Sequence, residues 1–89
     1  MSFFARRSAP RRVLTLLTRP SCHLCEEMKA VVEPLVGKAG GTLAIVDVDS
    51  DPALAARWGN QIPVLLDEGG RAVARVRDPE AAIRRRLGV

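Results

Sequence analysis

The segment VLTLLTRPSCHLC, residues 13–25, decides the fold. Residues 13–18 are β-prone and almost continuously apolar, which is typical of a short strand covered on both faces. Residues 19–21 contain a proline and a serine, and they break the strand. A helix is expected to begin at about Cys22 or His23, so that a Cys-x-x-Cys motif follows a strand and opens a helix.

The predicted helix has a one-sided apolar pattern. Its apolar residues recur at helical spacing: Leu24, Met28, Val31, Val32 and Leu35. Pro34 lies late in this helix and is expected to kink or end it, because proline cannot donate a hydrogen bond to Ala30.

The rest of the chain alternates strands and helices. Further strands are predicted at residues 43–48, 63–67 and 71–77, the first of them as a buried strand, with a hairpin turn at 67–70. A short helix is expected from Asp51, a capping residue, to about Trp58. A last helix follows Asp78, with Ile83 and Leu87 facing inward. The order β-α-β-α-β-β-α predicts an α/β fold: a four-stranded mixed sheet with flanking helices, the first two strands parallel and the last two forming an antiparallel hairpin.

Composition narrows the class of protein. The chain has 89 residues, 47% of them hydrophobic and 27% charged, as expected for one globular domain. Residues 1–19 carry five arginines and no acid. We predict a flexible basic arm over residues 1–11 and a folded domain over residues 12–89. No basic patch interleaved with aromatics and no long apolar run is present, so neither nucleic-acid binding nor a membrane span is expected. A cytoplasmic monomer is predicted.

The two cysteines suggest redox chemistry. Cys22 would stand at the helix N-terminus, where unpaired N–H groups and the helix dipole stabilise a thiolate and lower the thiol's pKa. Cys25 lies one turn further on, where it could displace a product bound to Cys22. A structural zinc site needs four ligands, and Cys22, His23 and Cys25 supply three at most. A redox dithiol is therefore favoured and no metal site is assigned. An iron–sulfur or metal-binding module using the same cysteines, shared across an oligomer, stays open.

Two neighbours of the cysteines each have two interpretations. His23, when protonated, could stabilise the thiolate, or it could be an exposed residue at the start of a helix. Arg19 adds positive charge three residues before Cys22 and could hold a substrate carboxylate. The alternative is a solvated loop arginine.

Residues 18–25, the acidic pair Glu26-Glu27 and residues 61–65 together resemble the glutaredoxin-like branch of the thioredoxin superfamily. The resemblance covers about residues 12–88. It implies a thioredoxin-like fold with a cis Ile62–Pro63 bond next to the dithiol. It further implies that the backbone of Ile62 pairs with a bound peptide or glutathione, and that Arg19 contacts the substrate.

The chain departs from the ordinary glutaredoxin pattern in two places. His23-Leu24 stands between the cysteines where those proteins have Pro-Tyr, and Gly69-Gly70 precedes the fourth strand instead of following it. We predict a thiol–disulfide oxidoreductase of the electron-transport kind, with Cys22 and Cys25 catalytic. Arg19, His23, Ile62 and Pro63 are the predicted substrate-binding residues. Its expected partners are protein or low-molecular-weight disulfides, with no tightly bound cofactor and with glutathione or a thioredoxin reductase as candidate reductants.

Overall fold

The computed structural model describes residues 13–75 and 80–88. The predicted arm at residues 1–11, the predicted end of the fourth strand at residues 76–77 and the cap at Asp78 lie outside the described residues. The elements, in chain order, are β1 (Val13–Thr18), α1 (His23–Lys38), β2 (Thr42–Asp47), a 3-10 helix (Val48–Ser50), α2 (Pro52–Trp58), β3 (Val64–Leu66), β4 (Ala72–Arg75) and α3 (Glu80–Leu87).

The four strands form one mixed sheet in the order β2-β1-β3-β4. Strand β1 pairs with β2 in parallel and with β3 antiparallel, and β3 pairs with β4 antiparallel. The predicted α/β architecture is therefore confirmed. Because β1 lies between two other strands, the loop that follows it is held at one end of the sheet by neighbours on both sides.

Strand β1 contributes to a core on each face of the sheet. Leu16 belongs to the core under α1 and α3, whereas Leu17 belongs to the core under α2, because successive strand residues point to opposite faces. Ile83 and Leu87 are buried in the first of these cores, as predicted. Burial on both faces explains the almost continuous apolar run of this strand.

Strand β2 differs from its prediction as a buried strand over residues 43–48. It runs over Thr42–Asp47 at the edge of the sheet, and Ile45 is 45% exposed. Val48 leaves the strand and enters the 3-10 helix, where it is fully buried in the core under α2. The apolar run is therefore divided between an edge strand and a core residue.

Pro34 does not end helix α1, which continues to Lys38. Pro34 itself is exposed, while the two residues after it, Leu35 and Val36, are buried in the core. Their packing holds the last turn in place although one backbone hydrogen bond is missing.

The other boundaries follow from local capping. The Asp51 side chain accepts a hydrogen bond from the backbone N–H of Ala53 at 2.8 Å and caps α2, as predicted. In the β3–β4 hairpin, the Asp67 carboxylate accepts from the N–H groups of Arg71 and Gly69, at 2.9 and 2.8 Å. The bonds from Arg71 and Gly69 lower the pKa of Asp67. No helix within the described residues is long and apolar enough to cross a membrane.

Candidate active site

Cys22 is the N-cap of helix α1. Its backbone is extended, with φ −97° and ψ 108°, and its Sγ accepts the backbone N–H of Cys25 at 3.2 Å. Helix caps are usually oxygen-bearing side chains that satisfy one of the unpaired N–H groups. Here a sulfur takes that position, and a negative charge on it would face both an N–H donor and the positive end of the helix dipole.

Cys25 lies three residues further along, one turn into the helix. The Cα atoms of Cys22 and Cys25 are 5.2 Å apart, which is within the usual range for a disulfide. In this structure the two cysteines form a disulfide bond. Cys25 is only 1% exposed, whereas Cys22 is partly exposed. The two sulfurs are therefore chemically unequal: one faces solvent at the helix end and the other is buried behind it.

Arg19 lies in the loop between β1 and α1, and its guanidinium is bound by a carboxylate. Its Nε donates to Asp49 Oδ2 at 2.7 Å, and its Nη2 donates to Asp49 Oδ1 at 3.0 Å. Its Nη1 donates to the backbone oxygen of Gly59 at 3.4 Å. The hydrogen bond between them raises the pKa of Arg19 and lowers that of Asp49.

Asp49 is a site residue that the sequence reasoning missed. The predicted parallel pairing of the first two strands could have indicated it, because this pairing aligns Thr18 with Asp47. The carboxyl ends of parallel strands meet at one edge of a sheet, so the residues just after Thr18 and Asp47 come close together.

His23 is the first residue of α1 and projects into solvent. Its Nε2 lies 2.8 Å from Glu27 Oε2, a pair at i and i+4 on the helix surface, and the His23 side chain is 87% exposed. Leu24 follows it and is 52% exposed, although the helical pattern placed it with the core residues. The first turn of α1 therefore buries Cys25 and leaves its neighbour Leu24 exposed beside the dithiol. An open concavity next to the sulfur is lined by Ser21, Cys22, His23 and Glu26.

Ile62 and Pro63 lie at the end of the sheet that carries the cysteines. The peptide bond between them is cis, Pro63 is fully buried, and Ile62 packs against the core under α2. Leu17 pairs with Val64 in the antiparallel ladder. The residues before Val64 therefore run past the end of β1, toward the loop that leads to Cys22.

The described part of the chain adds no ligands to the alternative of a metal site. Within residues 13–75 and 80–88, no group of three or more histidine, cysteine, aspartate or glutamate side chains is arranged to hold a metal ion.

Comparison with known proteins places this site in a family. No curated protein matches the chain. Similar solved structures include the structural-genomics target XcR50 from X. campestris, at 31% identity over 84% of this chain and 95% of that chain, with a TM-score of 0.69. Protein Ne2328 from Nitrosomonas europaea is similar at 27% identity over 83% of this chain and 88% of that chain, with a TM-score of 0.70. A mutant thioredoxin from Halobacterium salinarum NRC-1 is similar at 29% identity over 91% of this chain and 75% of that chain, with a TM-score of 0.61. The family model of the glutaredoxin-like domain (DUF836) matches residues 13–87, and the chain therefore belongs to that family.

Proposed function

We propose that this protein is a thiol–disulfide oxidoreductase in which Cys22 attacks the substrate and Cys25 resolves the intermediate. The observation that carries the proposal is the capping geometry, in which the Cys22 sulfur accepts the N–H of Cys25 at the start of α1. The unequal exposure of the two sulfurs supports the assignment of the two roles.

In the first step, the Cys22 thiolate attacks one sulfur of a substrate disulfide. A bond forms between Cys22 Sγ and that sulfur, the substrate S–S bond breaks, and the other substrate sulfur leaves as a thiolate that takes a proton from water. The helix end favours this step because it stabilises the attacking thiolate. Cys25 is buried and does not compete for the substrate.

In the second step, Cys25 loses its proton to solvent and attacks Cys22 Sγ. The Cys22–Cys25 disulfide forms, the mixed disulfide breaks, and the second substrate thiol is released. Two electrons have then passed from the dithiol to the substrate. This step is intramolecular, and the Cα–Cα separation of 5.2 Å brings the two sulfurs within bonding reach, so that the attacking group has a high effective concentration.

Ile62 and Pro63 are proposed to position the substrate chain. Strand β3 begins at Val64, so the backbone of Ile62 lies outside the ladder of the sheet and at the end that carries Cys22. An extended peptide could pair with it there. Protein disulfides are the proposed substrates, and glutathione or a thioredoxin reductase is the proposed source of electrons.

Trapping of the mixed disulfide tests the assignment. Reduced Cys25→Ser protein, mixed with a disulfide peptide, is expected to accumulate a covalent adduct at Cys22 that mass spectrometry detects. Wild-type protein should instead form its internal disulfide, and Cys22→Ser protein should do neither. An adduct on Cys25 in the Cys22→Ser variant, formed as fast as the one on Cys22, would contradict the proposed roles.

A further inference from the structure

Arg19 has the chemistry to bind an acidic substrate, yet three of its five N–H donors are already engaged. A guanidinium binds a carboxylate best through two parallel N–H···O hydrogen bonds from one of its edges. The Nε and Nη2 atoms of Arg19 form one such edge. Both atoms of that edge donate to Asp49, at 2.7 and 3.0 Å. On the other edge, Nη1 donates to Gly59 at 3.4 Å.

The charges around this pair are also unfavourable for an anion. Asp47 adds a second carboxylate to the field at Arg19. On the other side of the loop, Glu26 lines the concavity beside Cys22. To use the Nε–Nη2 edge of Arg19, a substrate carboxylate would therefore have to displace Asp49 while approaching other acidic groups.

We infer that Asp49 is a specificity-determining residue: it acts as a built-in carboxylate that occupies Arg19 and so disfavours disulfides bearing carboxylates near the sulfur. This inference rests on the proposed oxidoreductase function. The site then selects neutral or basic disulfides, such as those in peptide segments without nearby acids, over small acidic disulfides.

The distance over which Arg19 acts is set by the loop. Cys22 is the third residue after Arg19, so their Cα atoms lie at most about 11 Å apart. That is about one Debye length at an ionic strength of about 0.1 M, so a free guanidinium would still attract a substrate anion near the sulfur. Freeing Arg19 should therefore speed the reaction with anionic disulfides, and the gain should shrink as salt is added.

Three small disulfides of similar size provide the probes: dithiodipropionate, which is anionic, bis(hydroxyethyl) disulfide, which is neutral, and cystamine, which is cationic. The measurement is the second-order rate at which each one oxidises the reduced protein, followed by alkylation and mass spectrometry at low salt. Asp49→Ala is expected to raise the rate with dithiodipropionate about 2- to 5-fold, the range for an exposed ion pair. The rate with the neutral disulfide should change less than about 1.5-fold.

Two controls separate release of Arg19 from a general change of charge. Glu33→Ala removes the same charge from an exposed position about 16 Å along α1 from Cys22 and should not reproduce the gain. The double variant Arg19→Ala/Asp49→Ala should lose the gain. Asp49→Asn, which keeps the shape of the side chain, should raise the rate with dithiodipropionate by a smaller factor than Asp49→Ala. Thermal unfolding checks that each variant is folded.

The outcomes distinguish this inference from the function on which it rests. If none of the three disulfides oxidises the wild-type protein, the proposed function fails. If all three oxidise it and Asp49→Ala leaves the ratio of anionic to neutral rates unchanged, the specificity role of Asp49 is wrong. The role is equally wrong if Glu33→Ala matches the gain or the double variant retains it.

Discussion

Leu16 and Ile45 lie side by side in the sheet, yet their truncation should affect stability very differently. The two residues are partners in the parallel register of β1 and β2. Leu16, on an inner strand, is 0% exposed in the core under α1 and α3, whereas Ile45, on the edge strand, is 45% exposed. We therefore compare Leu16→Ala with Ile45→Ala as a matched pair.

The expected magnitudes follow from burial. Truncation of a fully buried leucine removes its transfer free energy and leaves a cavity, which costs about 3–5 kcal/mol in a well-packed core. Ile45 retains about half of its surface in water, so its truncation should cost about 1 kcal/mol. A domain of this size has a free energy of unfolding of about 5–10 kcal/mol, so the first change removes a large part of it.

Urea unfolding of the oxidised proteins, followed by circular dichroism, measures both values. With a slope of about 1–2 kcal/mol per molar urea, Leu16→Ala should lower the midpoint by about 2 M or more, and Ile45→Ala by about 1 M or less. The slope should not change in either variant. Equal losses for the two residues would refute the assignment of β2 to the edge of the sheet and of Leu16 to its core.

Four further predictions concern a helix cap, two glycines and a turn. Asp51→Ala should destabilise the protein by about 0.5–2 kcal/mol through loss of the α2 cap, and Asp51→Ser should restore most of it, as measured by urea unfolding. Gly59→Ala should cost about 1–3 kcal/mol, because the new Cβ would lie 2.5 Å from the backbone oxygen of Ala55. Gly37→Ala, whose Cβ meets nothing within 4 Å, should instead be neutral or stabilise by about 0.5–1 kcal/mol. The folded-state pKa of Asp67 is lowered, so its contribution to stability is present above the unfolded pKa of about 4 and is lost as the pH falls through the folded value. The melting temperature should therefore fall less on acidification in Asp67→Asn than in the wild type.

The elements that could be predicted from the sequence are those fixed by local pattern. The apolar run of β1, the break after it and the Cys-x-x-Cys motif together placed the start of α1 to within one residue. Asp51 marked the start of α2 because a cap and its helix are adjacent in the chain. In each case the deciding interaction spans only a few residues, so the sequence pattern carries it.

The features that escaped prediction depend on tertiary neighbours. A run of apolar residues does not say whether a strand is central or at an edge, and β2 proved to be at the edge. Proline weakens a helix locally, but the burial of Leu35 and Val36 after Pro34 is decided by the sheet beneath them. The pairing of Arg19 with Asp49 spans 30 residues, and only the strand order brings the two together.

The difference between the two cysteines follows from the residue at which α1 begins. Ser21 has φ 63°, a left-handed conformation that costs a non-glycine residue about 1–2 kcal/mol and that a helix cannot contain. The helix therefore cannot start before Cys22, which becomes its cap and keeps its sulfur at the N–H groups, while Cys25 is carried one turn inward and buried. If α1 began one turn earlier, Cys22 would be an ordinary helical residue, and its sulfur would lose both the N–H donor and the end of the dipole. The strained turn at Ser21 is thus what gives the two sulfurs unequal positions, one partly exposed at the helix cap and the other buried one turn further on.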